Sequence, residues 1–112
     1  MKRSDIRRNE PARSPARLVL ILYVSGASAS SIRAVGNLRR LLRDYQDGQI
    51  SLSIHDLAVD PAAGERDRIA FTPTLCKEAP GPPLRILGDL SNPQPLVELL
   101  EFYGVDRKDG HS

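Results

Sequence analysis

Leu18-Val19-Leu20-Ile21-Leu22-Tyr23-Val24 is apolar at every position, the pattern of a strand covered on both faces of a sheet. The same run follows a basic stretch and precedes the small residues Ser25–Ser30, which is the outline of a secretory leader. Against that reading, the basic stretch is long and holds acids and two prolines, and cleavage near Ser28 would remove the best strand in the chain. The expectation is a buried central strand in a cytoplasmic protein.

Beyond this strand, Ser25-Gly26-Ala27-Ser28 reads as a turn, with Ser28 or Ser30 capping the helix that follows. Ile32, Val35, Leu38, Leu42 and Tyr45 recur at spacings of three and four and predict one apolar stripe, with Gly48 as the helix stop. Arg33, Arg39, Arg40 and Arg43 fall largely outside that stripe. Ile50-Ser51-Leu52-Ser53-Ile54-His55 alternates strictly, as a strand with one buried face does.

Asp60-Pro61 predicts a cap followed by proline at the first helical position, and a short helix weakened by Gly64 that runs to about residue 69. Thr74–Lys77 and Leu84–Leu87 are a third and a fourth strand, separated by the turn Ala79-Pro80-Gly81-Pro82-Pro83. Asn92-Pro93 opens a last helix with Leu96, Leu99, Leu100 and Tyr103 on its buried face and Gly104 as its stop. The order is β-α-β-α-β-β-α, an α/β fold with a small mixed sheet, which is the thioredoxin-like arrangement.

The 112 residues suffice for one domain. Residues 1–17 carry six basic groups against Asp5 and Glu10, whereas the rest of the chain carries ten basic and twelve acidic groups. The alkaline balance therefore belongs to a disordered basic arm, residues 1–16. The thioredoxin-like domain covers 17–104, and 105–112 is a frayed polar tail. A weakly acidic body is a poor match for specific nucleic acid, and no run approaches the roughly 18 apolar residues of a membrane span.

Thioredoxin chemistry needs a Cys-x-x-Cys pair just after the first strand, where a helix N-terminus lowers the thiol pKa. Ser25–Ser30 contains no thiol, so dithiol exchange is excluded there. Cys76, the single cysteine, lies in a strand and reads as an inert core residue. His55 and Asp56 are adjacent on a strand and point to opposite faces, so they do not form a base with its orienter. No cofactor or metal is expected, and no catalytic residue is assigned. The Thr72–Pro73 bond precedes the third strand, where thioredoxin-like folds place a cis proline, and is expected to be cis; a trans proline at a strand start is the alternative.

With those residues in place, the chain resembles the KaiB family of circadian clock proteins. The resemblance is carried by Leu22-Tyr23-Val24-x-Gly26, Ser31-x-Arg33-Ala34, Asp56-x-x-x-x-Pro61, Ala70-x-Thr72-Pro73-Thr74-Leu75 and Ile86-x-Gly88-Asp89-Leu90-Ser91-Asn92, in register over about residues 18–103. The chain is also similar to the sensor domain of SasA-type histidine kinases. The family implies a non-enzymatic adaptor that docks on a KaiC-like ATPase ring in circadian, timing or stress signalling. A histidine kinase or a KaiA-like protein, and further copies of the chain, are additional partners it implies. The alternative function is a thioredoxin-fold protein with redox or other small-molecule activity.

By the same resemblance Arg33, Asp67, Arg68 and Lys77 fall near partner-binding positions, and Pro73, Gly88 and Asp89 are structural. The family also implies a second, ground-state fold in which the C-terminal half is rearranged. Clock members carry a Gly and an Asp inside the last helix where this chain has Leu99 and Glu101. Better helix formers there favour the thioredoxin-like state by about 1–2 kcal/mol, or about ten-fold, so that state is the expected resting one.

Overall fold

The computed structural model describes residues 18–108. The arm at 1–16, His111 and the last part of the expected tail lie outside them. Seven main elements follow in the anticipated order: β1 (Leu18–Val24), α1 (Ala29–Leu42), β2 (Ile50–Asp56), α2 (Pro61–Arg66), β3 (Thr74–Ala79), β4 (Leu84–Leu87) and α3 (Gln94–Phe102). The sheet order is β2-β1-β3-β4; β1 and β2 are parallel, and β3 runs antiparallel to both β1 and β4. The fully apolar run is thus an interior strand with a neighbour on each side.

Leu18, Leu20, Leu22 and Val24 point from β1 into the main core, where they meet Ala34 and Leu38 of α1 and Leu96, Leu99 and Leu100 of α3. Ile50, Leu52 and Ile54 of β2 pack against the same cluster, as their alternation predicts. The opposite face of the sheet carries Val19, Ile21 and Tyr23.

Helix α1 begins where the sequence places it, with the Ser31 amide donating to Ser28 Oγ at 3.3 Å. Its buried face differs from the expected stripe. Ser31, Ala34 and Leu38 are buried, while Ile32 is 60% exposed. The small Ser31 takes the inward position because its hydroxyl accepts the Ser25 amide at 3.0 Å and thereby closes the preceding turn.

The end of α1 is also corrected. The helix stops at Leu42, and Gly48 belongs to a 3-10 turn, Asp47–Gln49. Tyr45 leaves the helix to form a bridge with Arg107, whose guanidinium lies 4.9 Å from the Tyr45 ring centre. Residues 105–108 are therefore not frayed: Val105 is buried, the Gln46 amide donates to the Asp106 carbonyl, and the Lys108 amide donates to the Asp44 carbonyl.

Helix α2 is shorter than expected, ending at Arg66, and Arg68 turns the chain with φ +57°. The Thr72–Pro73 bond is cis, and so is Ala79–Pro80. At the start of α3 the Asn92 side chain accepts the Gln94 amide at 3.1 Å, and at its end Gly104 takes φ +71°. That left-handed stop is one a glycine adopts without strain.

Candidate interaction surface

Because β1 and β2 are parallel and β3 is reversed, one end of the sheet gathers the ends of β1, β2 and β4 and the start of β3. The turn Ser25–Ser28 lies here, at the position of a thioredoxin dithiol. Asp56 secures it: one carboxylate oxygen accepts the Gly26 amide at 2.8 Å and the Ala58 amide at 2.9 Å. Asp56 is therefore a loop brace and does not orient His55, which instead packs edge-on against Tyr23 with ring centres 5.4 Å apart. Cys76 is buried on β3, and burial raises its thiol pKa above the ordinary value. Among the described residues no group of three or more potential ligands is placed to hold a metal.

The three residues expected to be structural meet at this end. The Gly88 amide donates to the Pro73 carbonyl at 2.9 Å, with Gly88 at φ +103°, a conformation that glycine adopts without a side-chain clash. Asp89 then reaches α1, where Arg33 Nε donates to its Oδ2 at 2.8 Å. One turn further along α1, Asn37 donates to the Asp89 carbonyl at 2.9 Å. The other Asp89 oxygen accepts the Ser91 amide at 3.0 Å. Its pKa is lowered to about 2, first by the hydrogen bond from Arg33 and then by those from Ser91. The Gly-Asp-Leu-Ser-Asn stretch is a loop clasped to the first helix, and Leu90, at φ +63°, is buried in the core.

Asp67 and Arg68 form a second fixed corner. Tyr23 donates its hydroxyl to Asp67 Oδ2 at 2.5 Å. Arg85 of β4 donates one terminal nitrogen to the Asp67 carbonyl at 2.6 Å and the other to the Arg68 carbonyl at 2.7 Å. The backbone is held from both sides, and the Arg68 side chain is left exposed. Val59 just after β2, Phe71 just before β3 and Leu87 at the end of β4 are each more than 60% exposed. Fixed loops presenting a mixture of cations and apolar side chains suit the binding of a protein surface.

Lys77 does not belong to this surface. It is 1% exposed, in register with Leu20 and Leu84 on the core side of the sheet. Its ammonium donates to the Pro80 carbonyl and, at 3.0 Å, to the Tyr103 hydroxyl, and it lies 4.6 Å from the Tyr103 ring centre. A lysine in an alternating strand reads as solvated only until the register is known. Arg85, Asn37 and Tyr23 also position this surface, and the sequence marks them unevenly. For Tyr23 there was a signal: a phenol closing a buried run needs a hydrogen-bond partner. For Arg85 and Asn37 there was none.

Comparison with known proteins adds four findings. The model of the KaiB domain matches residues 21–102. The chain is 37% identical over 81 residues to circadian clock protein KaiB3 of Synechocystis, which spans 72% of this chain and 79% of that one. Among solved structures, the N-terminal domain of Synechococcus elongatus SasA superposes with a TM-score of 0.65 at 25% identity, covering 86% of this chain and 91% of that domain. A chloroplastic thioredoxin z, with a TM-score of 0.66, 19% identity and 78% of each chain covered, shares the fold.

Proposed function

The chain belongs to the KaiB family of circadian clock proteins, and from that premise we propose that it is a non-enzymatic adaptor docking on a KaiC-type ATPase ring. Arg33 and Arg68 lead the docking surface, with Asp67 fixing the corner that carries Arg68. The observation that carries this reading is the double restraint on Asp67–Arg68: Tyr23 holds the side chain, Arg85 holds both carbonyls, and the Arg68 side chain stays free to meet a partner. Rigid presentation lowers the entropy cost of association. Lys77 contributes by packing α3 and not by contact.

A histidine kinase or a KaiA-like protein would compete for or join such a complex, and self-association into a homo-oligomer would mask part of the surface. The site of action on this reading is the cytoplasm; among the described residues no helix is long and apolar enough to cross a membrane. The redox alternative lacks support, since the turn at Ser25–Ser28 has no thiol and Cys76 is buried.

The test is binding of the purified chain to a KaiC-type ATPase by interferometry. R33E/R68E is expected to weaken it at least about ten-fold, the scale of a lost interfacial charge contact. R68E alone separates docking from folding, because the clasp on Asp89 does not involve it. Unchanged binding in both variants would overturn the assignment.

A further inference from the structure

At the end of the sheet away from Arg33, the last turn of α1, the 3-10 turn and the first half of β2 enclose a groove of about 320 Å³. Leu42, Ile50 and Leu52 form its half-buried floor, and Arg39, Arg43 and Asp47 stand exposed at its rim. Arg39 and Arg43 are four residues apart, which places their guanidinium groups on one helix face, a turn from each other. Among the described residues neither forms an ion pair, whereas Asp47 lies 3.7 Å from Lys108 Nζ. Cations at a helix C-terminus are favoured by the helix dipole. The dipole does not account for an apolar floor left open beneath them.

The position of β1 adds a second observation. Leu18 is the Cα partner of Ile50, so residues 1–17, with six basic and two acidic groups, join the body beside a floor residue. Rim and adjoining segment share one sign. That charge argues against the chain's own N-terminal segment as the occupant, and a nucleic acid would meet the cations without filling the floor.

We propose that this groove docks an acidic segment of a partner protein. A leucine-sized side chain enters between Leu42, Ile50 and Leu52, and flanking carboxylates pair with Arg39 and Arg43. The planar guanidinium fork suits carboxylates, and the volume falls in the range of about 300–1,000 Å³ typical of ligand sites. The basic segment raises the encounter rate without contributing to the fit.

The experiment is fluorescence anisotropy of a labelled peptide of glutamates flanking one leucine, titrated with the full chain. Saturable binding is expected, weakened at least about ten-fold in R39E/R43E and less in R39K/R43K, which keeps the charge but loses the planar fork. Replacing the peptide's leucine by serine is expected to weaken binding several-fold. Equal affinity for the leucine and serine peptides, or full affinity in R39E/R43E, would overturn the proposal. So would tighter binding of a DNA oligonucleotide, or self-association abolished by R39E/R43E, which would make a second copy the occupant. Thermal melts establish that the variants are folded, with R39Q/R43Q as the milder substitute. R33E/R68E lies at the other end and leaves peptide binding unchanged, so the failure of this proposal and that of the ATPase reading are distinguishable.

Discussion

The Tyr23 hydroxyl and the Asp67 carboxylate are joined at 2.5 Å, and this bond fastens the end of α2 to the interior strand of the sheet. Burial first, and then the bond to Asp67, raise the Tyr23 pKa above its ordinary value of 10.0. Above pH 10 an unfolded chain releases a proton that the folded protein still holds, so this contribution to stability is complete below that pH and is lost as pH rises. Y23F is expected to cost about 1–2 kcal/mol at neutral pH, since Asp67 is left without its donor but remains open to water. Denaturant unfolding between pH 9 and 11.5 should show wild type losing stability faster than Y23F.

Asp89 gives the opposite dependence. Its folded pKa of about 2 lies below the ordinary 3.8, so its contribution is present above pH 4 and lost as pH falls through 2. Carbon NMR titration of the Asp89 carboxyl should find its midpoint near 2 in wild type and closer to the ordinary value in R33Q. The same substitution should broaden the amide signals of residues 88–91, because Asn37 then supplies the remaining side-chain hydrogen bond from α1 to the loop.

Lys77 places an ammonium in a row of leucines with a carbonyl and a phenol as its hydrogen-bond partners. Removing the phenol oxygen in Y103F should destabilise the protein by about 1–3 kcal/mol, the cost of a buried charged group losing a partner. K77M removes the charge at similar volume. If the pair acts as described, Y103F costs less in a K77M background than in wild type, and equal costs in the two backgrounds would refute the coupling.

Leu99 is buried at 8% exposure on α3. L99G combines a lost core side chain with a glycine in a helix interior and should cost about 3–5 kcal/mol of the thioredoxin-like state. Chemical shifts of residues 94–102 report it directly. Helical shifts in wild type and their loss in L99G are expected; extended shifts in wild type would overturn the expectation that the thioredoxin-like state is the resting one.

The sequence carried the element order because its signals were local. A uniformly apolar run, a serine before a helix, Thr-Pro-Thr before a strand and Gly104 after the last leucines each act within a few residues. What it concealed was set by pairing between distant segments. Lys77 reads as surface until β3 is registered against β1, and Gly48 looks like a helix stop until Tyr45 is seen to leave the helix for Arg107. The site shows the same division. Pro73, Gly88 and Asp89 stood out in sequence, but Arg85, which holds the Asp67–Arg68 corner, is an ordinary strand arginine with no local mark.

The chain enters the described body at Leu18, beside Ile50, and leaves it at Lys108, beside Asp44, so both connections depart from one pole. A fluorophore, affinity handle or neighbouring domain joined at either point would hang beneath the Arg39–Arg43 groove and leave the Arg33–Arg68 pole unobstructed.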